Sequence, residues 1–592
     1  MFLKKWIFAL LMLAPALAAA QVDEALEQWA EEGGDDAAAA YADELLEFRD
    51  NPLNINDTTV PLPLLSPFQR QALRNYIILH GQLLSHKELL LVPGFDSATV
   101  ALLAAVTVVE PFEQQRHWRM ADGRHSLVAA VGGQQADSLR ALAVYTYSLH
   151  NRISFRLAAE KDAYEPWGKD NFYSYHLMLT DIGRVERLIV GRYNVQFGQG
   201  LTLWTGLKPF NLLGEGVHRF ATGVRPASTF YEEGYQEGAA LTVRLLRLWH
   251  ATAFASKANG MLLTGGRVAY RHGNLVAGTT LVYTGLDDSN KVIDRVYNRT
   301  DFQGQRLFNA GVDALWQWGG LLLFGEAAMA SDGGAAAIGG ARLMIDSRNS
   351  MGISYRDYGA EYHNLVAQPY SVGGNRNERG WTLDARLQLP LRIEALLYAD
   401  LHSFPSLRYG SYQPSSGAWL RAQIGRQLGR NVKATLRYAW SSKERNVPNI
   451  DSTTYLGEET LRRQLQGEVR WESGRWRLST RAVWAGFTSD GGVEQSGWLV
   501  SQQARYTYKG LRATAELTWF DVSGYYARIY LTESTLQYAF SIPSYNGRGL
   551  RTAVVLNYAV SDSLALAAKH ALMYRLDGSP VGSLLVQMRL KF

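Results

Sequence analysis

The residues whose types and spacing could do chemistry lie in three places. The first is the run Gly191-Arg192-Tyr193-Asn194-Val195-Gln196-Phe197-Gly198-Gln199-Gly200-Leu201-Thr202-Leu203-Trp204-Thr205-Gly206. Its Gly198-x-Gly200 has the outline of a phosphate-cradling turn, but no Gly-Lys-Ser/Thr follows and no helix is due, so no nucleotide site is implied. A strand breaking into a glycine-rich bend fits, with two readings open. One is an inward-folded constriction built on Gly198, Gln199, Gly200, Trp204 and Gly206; the other is a bulge packed tightly against neighbouring strands. The second place is a set of basic rows, Lys433 with Arg437 and Arg475 with Arg477 and Arg481, joined further on by Arg551, Lys569, Arg575, Arg589 and Lys591. Converging cations of this kind favour anions. The alternative, preferred because enclosed charges usually pair, is neutralisation by Glu394, Glu468, Glu472 and Glu516. The third place is the histidines, among them His218, His250, His272, His363, His402 and His570, scattered without a nucleophile motif. A hydrolase is therefore the least supported reading, and no catalytic residue is assigned. His80 and His86 have no partner cluster, and with Cys 0 there is no thiolate site, so neither metal nor cofactor is expected.

What positions these residues is legible from the N-terminus onward. Lys4 and Lys5, the apolar stretch Trp6 to Leu17, and Ala18-Ala19-Ala20 have the layout of a secretory signal peptide over residues 1–20. Beyond it no stretch has the ~18 consecutive apolar residues of a membrane helix. Tyr (31), Trp (16) and Gly (55) are abundant, which suits aromatic-rimmed strands and tight turns better than helices. From Ala141 to Phe592 the chain alternates. Val432, Ala434, Leu436, Tyr438 and Trp440 oppose Lys433, Thr435 and Arg437; Leu584, Val586, Met588, Leu590 and Phe592 oppose Gln587, Arg589 and Lys591. The segments run about 10–12 residues, long enough to cross a bilayer when tilted and longer than ordinary globular strands. Aromatics recur near their ends, and the last segment stops on Phe592. In lipid a sheet satisfies its backbone only by closing. The expected fold is thus an all-β transmembrane barrel of about 22 antiparallel strands over 141–592, in contact with outer-membrane lipids. Long loops fall at Asp287–Gln305, Ala360–Arg379, Ser403–Ser416 and Ser442–Glu459, and Gly319-Gly320 forms a short turn on the opposite, periplasmic side.

Between signal and barrel the chain changes character. Residues 21–50 read as an acidic helical segment split by Gly33-Gly34, 51–110 as a small all-α unit, and 111–140 as a linker. The unit contains Asn54-x-Asn56, Gly81, Ser85-x-x-Glu88-Leu89 and Val92-Pro93-Gly94. This order resembles the tandem helix-hairpin-helix domain of competence DNA receptors. The wider layout is similar to a group of Bacteroidetes-type outer-membrane proteins that carry such a domain before a barrel, a resemblance that implies no particular activity.

The resemblance makes DNA a candidate partner through two hairpins, at Ser66, Pro67, Phe68, Arg70 and Arg74 and at Pro93, Gly94, Phe95 and Asp96. The residues disfavour it. Leu64-Leu65-Ser66-Pro67-Phe68 lacks the glycines of a phosphate-binding hairpin, and Asp96 puts a carboxylate where a phosphate would sit. Arg49, Arg70, Arg74 and Lys87 are the only basic residues from 21 to 110 against about fifteen acids, a field that repels polyanions. A periplasmic protein partner or a lid over the lumen fits the module better. In Gram-negative outer-membrane proteins the terminal strand, ending in Phe, serves as the assembly signal; the resemblance at Phe592 implies the barrel-assembly machinery as a partner.

Overall fold

The structure, a computed structural model, describes residues 53–57, 65, 67–93, 95, 100, 103–104, 107–112, 119–134, 138–149, 152–168, 171–206, 217–227, 230, 234–290, 295–346, 348–447, 456–539, 542–576 and 578–592. The signal sequence, the acidic segment, Ser66, Gly94 and Asp96 lie outside them.

Twenty-four antiparallel strands of these residues close into one barrel, from Arg124–Gly133 to Val581–Lys591. Alternation alone counts about 22. The difference comes partly from Arg124–Gly133, a strand in the stretch taken for a linker, whose Ala- and Gly-rich face carries little contrast. One of the loops expected from its polar residues, Ser442–Glu459, is shorter than expected, because Val432–Val447 and Leu456–Ser473 remain paired out to Val447 and Leu456. The ring is sealed by its terminal strands. His125 and Phe592 exchange backbone bonds of 2.9 and 3.1 Å, and their rings stack with centroids 5.1 Å apart.

The strands of 9 to 18 residues are polar inside and apolar outside. In Glu378–Leu389, Trp381 and Leu383 are 49 % and 44 % exposed, whereas Thr382 and Asp384 between them are buried. Leu397, Leu436, Val469, Leu517, Leu556 and Leu566 continue the exposed apolar belt. A soluble protein would place these residues the other way round. This inversion suits hydrocarbon outside and a polar lumen inside. Short connections such as Gly319-Gly320, with Gly319 at φ 56°, gather at one mouth of the barrel. From the other end of the strands, the described residues of 197–206, 217–227, 359–377, 523–539 and 542–546 fold back into the lumen.

Before the barrel lies a small unit with its own core of Ile55, Leu65, Leu73, Leu83, Leu89, Val92, Phe95 and Leu103. Its helix, Pro67–His80, ends at Gly81 (φ 90°), whose N–H returns to the Ile77 carbonyl at 2.9 Å, a left-handed stop that glycine adopts without a Cβ penalty. Asn56 holds the unit together. Its side chain accepts from the Leu83 N–H at 2.7 Å and donates to the Leu83 and Glu110 carbonyls at 3.0 and 2.9 Å. Leu53–Asn54 pairs in parallel with Thr107–Val108, so the start and end of the unit are joined. Glu88 accepts from the N–H groups of Leu84 and Ser85 at 2.9 and 3.1 Å, capping the turn that follows.

Candidate functional site

The glycine-rich run curls into the lumen. After Val185–Gln196, Phe197 donates to the Leu203 carbonyl at 3.1 Å and Trp204 to the Val366 carbonyl at 2.9 Å, so the bend lies against the 359–377 loop. All of Phe197 to Gly206 is buried. The bend is clasped by one carboxylate. Glu326, on the barrel wall, accepts from the N–H groups of Gln199, Leu201 and Thr202 at 2.6, 3.1 and 2.8 Å and from the Thr202 hydroxyl at 2.7 Å. Three converging backbone N–H groups form an anion nest; here the anion is the protein's own side chain. The glycines are needed for distinct reasons. A Cβ on Gly198 would lie 2.6 Å from Glu326 Oε2, and one on Gly200 2.8 Å from the Gln368 carbonyl. One on Gly206 would meet the Asn194 amide at 2.6 Å, and all three have positive φ. Trp204 is buried beneath the Arg219 guanidinium, 5.0 Å from its ring centroid.

Two more wall carboxylates hold loop backbone in the same way. Asp384 accepts from the Val217 N–H at 3.0 Å while bridged by both 2.8 Å bonds from Arg342. Glu378 accepts from Val372 and Gly373, and Arg356 joins it to Asp400 with bonds of 2.6 and 2.9 Å. On the opposite wall the polarity is reversed. Glu533, in the inward 523–546 segment, takes bonds of 2.6 and 2.7 Å from Arg551 and Lys569, and Arg481 donates to the Thr532 carbonyl at 2.9 Å. The two groups of loops meet where Phe230 and Tyr538 contact edge to face at 5.5 Å, with Arg156 5.0 Å from the Tyr538 ring. The lumen is thus crossed by its own loops.

The basic rows read from the sequence are found beside partners. Lys433 is 3.9 Å from Glu394, Arg437 donates to Gln423 at 2.8 Å, Arg477 meets Glu472 at 2.6 Å, and Arg481 meets Glu516 at 3.0 Å. Arg475 stands apart in the turn after Gly474, 3.9 Å above the Tyr508 ring.

At the short-turn mouth the small unit and the wall enclose a cavity of ≈160 Å³. Arg70 and Arg74 project into it from the helix, facing Asp181, Glu186, Arg187 and Arg271 of the wall. Pro93 and Phe95 line a second gap, against the Gly319-Gly320 turn and Asp346. Pro67 and Phe68 belong to the helix. Arg70 and Arg74 are thereby separated from Pro93 and Phe95, and share their cavity with Phe197, Gly198 and Gln199 at the start of the glycine-rich bend. Among the described residues no group of three His, Asp or Glu side chains could hold a metal. Sequence reasoning missed Glu326, Asp384, Glu378 and Glu186. The signal that finds them is a lone charge at inward parity, as Glu326 stands in Leu-Leu-Leu-Phe-Gly-Glu-Ala-Ala-Met-Ala.

No protein-family model and no curated protein matches the chain. Among solved structures it is similar to the siderophore receptor PirA from Pseudomonas aeruginosa, at 9 % identity over 83 % of this chain and 84 % of that one, TM-score 0.44. It is also similar to the copper transporter OprC, at 11 % identity over 83 % and 86 %, TM-score 0.42. OmpT, an outer membrane protein of Vibrio cholerae, matches at 10 % identity over 57 % of this chain and 99 % of that one, TM-score 0.25. The class is defined by the fold itself, a closed antiparallel barrel with an apolar outer belt, the architecture of outer-membrane proteins.

Proposed function

We propose that the chain is a gated transport barrel of the outer membrane whose helical unit, read as a helix-hairpin-helix module on the periplasmic side, closes the mouth that the short turns define. The observation that carries this is the placement of Arg70 and Arg74, which reach from the module into a cavity of the barrel wall. A lid over a lumen must have such a contact, and a domain merely tethered beside the barrel would not. The described residues of 197–206, 217–227, 523–539 and 542–546 cross the lumen, those at 197–199 and 219–224 reaching the cavity beneath the module, so passage of any cargo requires both closures to move. The same placement speaks against a DNA-binding role for the first hairpin, because two of the module's few cations face the wall instead of an open surface. No catalytic chemistry is proposed.

The test is single-channel conductance in planar bilayers for the full chain and for a chain lacking residues 53–110. Discrete openings in the truncated chain alone support the lid. Equal conductance in both removes it, and silence in both turns the reading toward a structural role. That second reading, a barrel within a larger envelope assembly, has its own observation. Ile78, Leu79, Leu84 and Leu91 of the module are exposed apolar residues on a surface turned away from its core. Crosslinking in cells, with probes at Leu79 and Leu84, tests it.

A further inference from the structure

The cavity between module and barrel is lined by seven arginines and four carboxylates. The excess is not a matter of count alone, because two of the carboxylates, Glu186 and Asp313, are already paired, and Asp181 faces Arg70, Arg74 and Arg187 together. Glu186 lies 3.2 Å from Arg271, 3.8 Å from Arg244 and 2.9 Å from His250. Asp313 is bridged by two bonds from Arg267, one of 2.8 Å. Three guanidiniums, those of Arg70, Arg187 and Arg219, are left without an ion pair to a described residue, Arg219 donating to the neutral Gln368 carbonyl. Arg187 donates to the neutral Val224 carbonyl, and Arg70 has no hydrogen bond to a described residue. The Nε of Arg271, beside them, is buried without a partner. Burial, and then the fields of Arg187 and Arg271, pull the Arg70 guanidinium down to about 9.

Enclosing like charges is unfavourable unless something of opposite sign sits between them. Guanidinium forks from different elements are the usual protein answer to one anion with several oxygens, because each presents two parallel N–H donors. We infer that this cavity is a binding site for a phosphate-class oxyanion, held between Arg70 of the module and Arg187 and Arg271 of the wall. One ligand then touches both bodies and acts as a clasp for the module. Thr242 and Thr252 line the same space, and their hydroxyls share one bond of 3.0 Å, which leaves one hydroxyl proton for a remaining oxygen. Such a clasp makes the seating of the module depend on anion concentration, because a ligand that binds only the docked arrangement shifts the balance toward it.

The site rests on the module's seat in the mouth and not on whether the barrel conducts, so titration and conductance fail independently. The experiment is isothermal titration of the detergent-solubilised full chain at constant ionic strength in chloride, with inorganic phosphate in one arm and glycerol 3-phosphate in the other. Saturable binding of either supports the site; binding of both assigns it to a phosphate monoester group, and of inorganic phosphate alone to the free ion. Arg70→Gln and Arg187→Gln should each weaken binding at least tenfold. Arg70→Lys, which keeps the charge and loses the fork, should fall between, and Lys509→Gln should change nothing. Arg70 lies outside the barrel, so its variants keep the test sound should Arg187→Gln fail to fold. No binding above chloride, or full affinity in folded Arg70→Gln, overturns the proposal.

Discussion

Glu326 and Thr202 are joined twice, once through the Thr202 N–H at 2.8 Å and once through its hydroxyl at 2.7 Å, across 124 residues of sequence. Both bonds are buried, and the same carboxylate collects the N–H groups of Gln199 and Leu201. Removing it leaves four donors without an acceptor, each carrying a penalty of about 1–3 kcal/mol where water cannot enter. Glu326→Ala should therefore release the bend. Hydrogen exchange at Gln199, Leu201 and Thr202 should rise sharply, with exchange in the distant Leu564–Arg575 strand unchanged.

The same bend makes a backbone prediction. Gly200 sits at φ 89° with the Gln368 carbonyl 2.8 Å from where a Cβ would be. Gly200→Ala combines strain and clash and should destabilise the bend by about 1–3 kcal/mol. Gly429→Ala is the control, because a Cβ there meets nothing within 4 Å. Limited proteolysis should cut near residue 200 in the first variant and not in the second.

Arg356 reaches Glu378 and Asp400 from the adjoining strands, and all three side chains are almost wholly enclosed. Arg356→Met leaves two buried carboxylates facing each other, a loss of about 3–5 kcal/mol by analogy with other broken buried pairs. The temperature at which the folded band converts to the unfolded band on a heated gel should fall. Arg379→Met, next to the exposed Asp357, should leave it almost unchanged, because surface pairs contribute about 0–1 kcal/mol.

The module should loosen in mild acid. His86 is held below its ordinary 6.5 by burial. Its Nε2 lies 2.9 Å from the Thr107 hydroxyl, whose single proton goes to the Leu103 carbonyl at 2.6 Å, so Nε2 is the donor. A histidine whose folded value is depressed binds a proton more readily in the unfolded chain. Stability is full above pH 6.5 and falls as pH drops below it, by at most about 1.4 kcal/mol per pH unit. Protease sensitivity of residues 67–110 should increase between pH 7.5 and 5.5, and His86→Gln should flatten that increase.

The barrel was legible because its two faces differ in polarity at every second residue, as at Trp381, Thr382, Leu383 and Asp384. Where the contrast fades, as in the Ala- and Gly-rich face of Arg124–Gly133, the strand was not visible. Gly198, Gly200 and Gly206 marked an unusual bend, but what the bend binds was not legible, since Glu326 lies 124 residues or more from its partners and no local pattern links them. Arg70 and Arg74 stood out as the module's cations. Their direction, into the wall, depends on how two folded bodies meet, which periodicity within either body does not encode.

The seam between His125 and Phe592 has a consequence for how the molecule is made. Until the Val581–Lys591 strand arrives, the sheet is an open ribbon whose Arg124–Gly133 edge has no partner, with a full row of backbone donors and acceptors available to any other chain. The longest-range pairing in the molecule is also the last one that can form, so closure waits on nearly the whole length of the chain. A premature stop anywhere in the final strands would leave two bare edges on an apolar ribbon, and its fate would be aggregation rather than a smaller barrel.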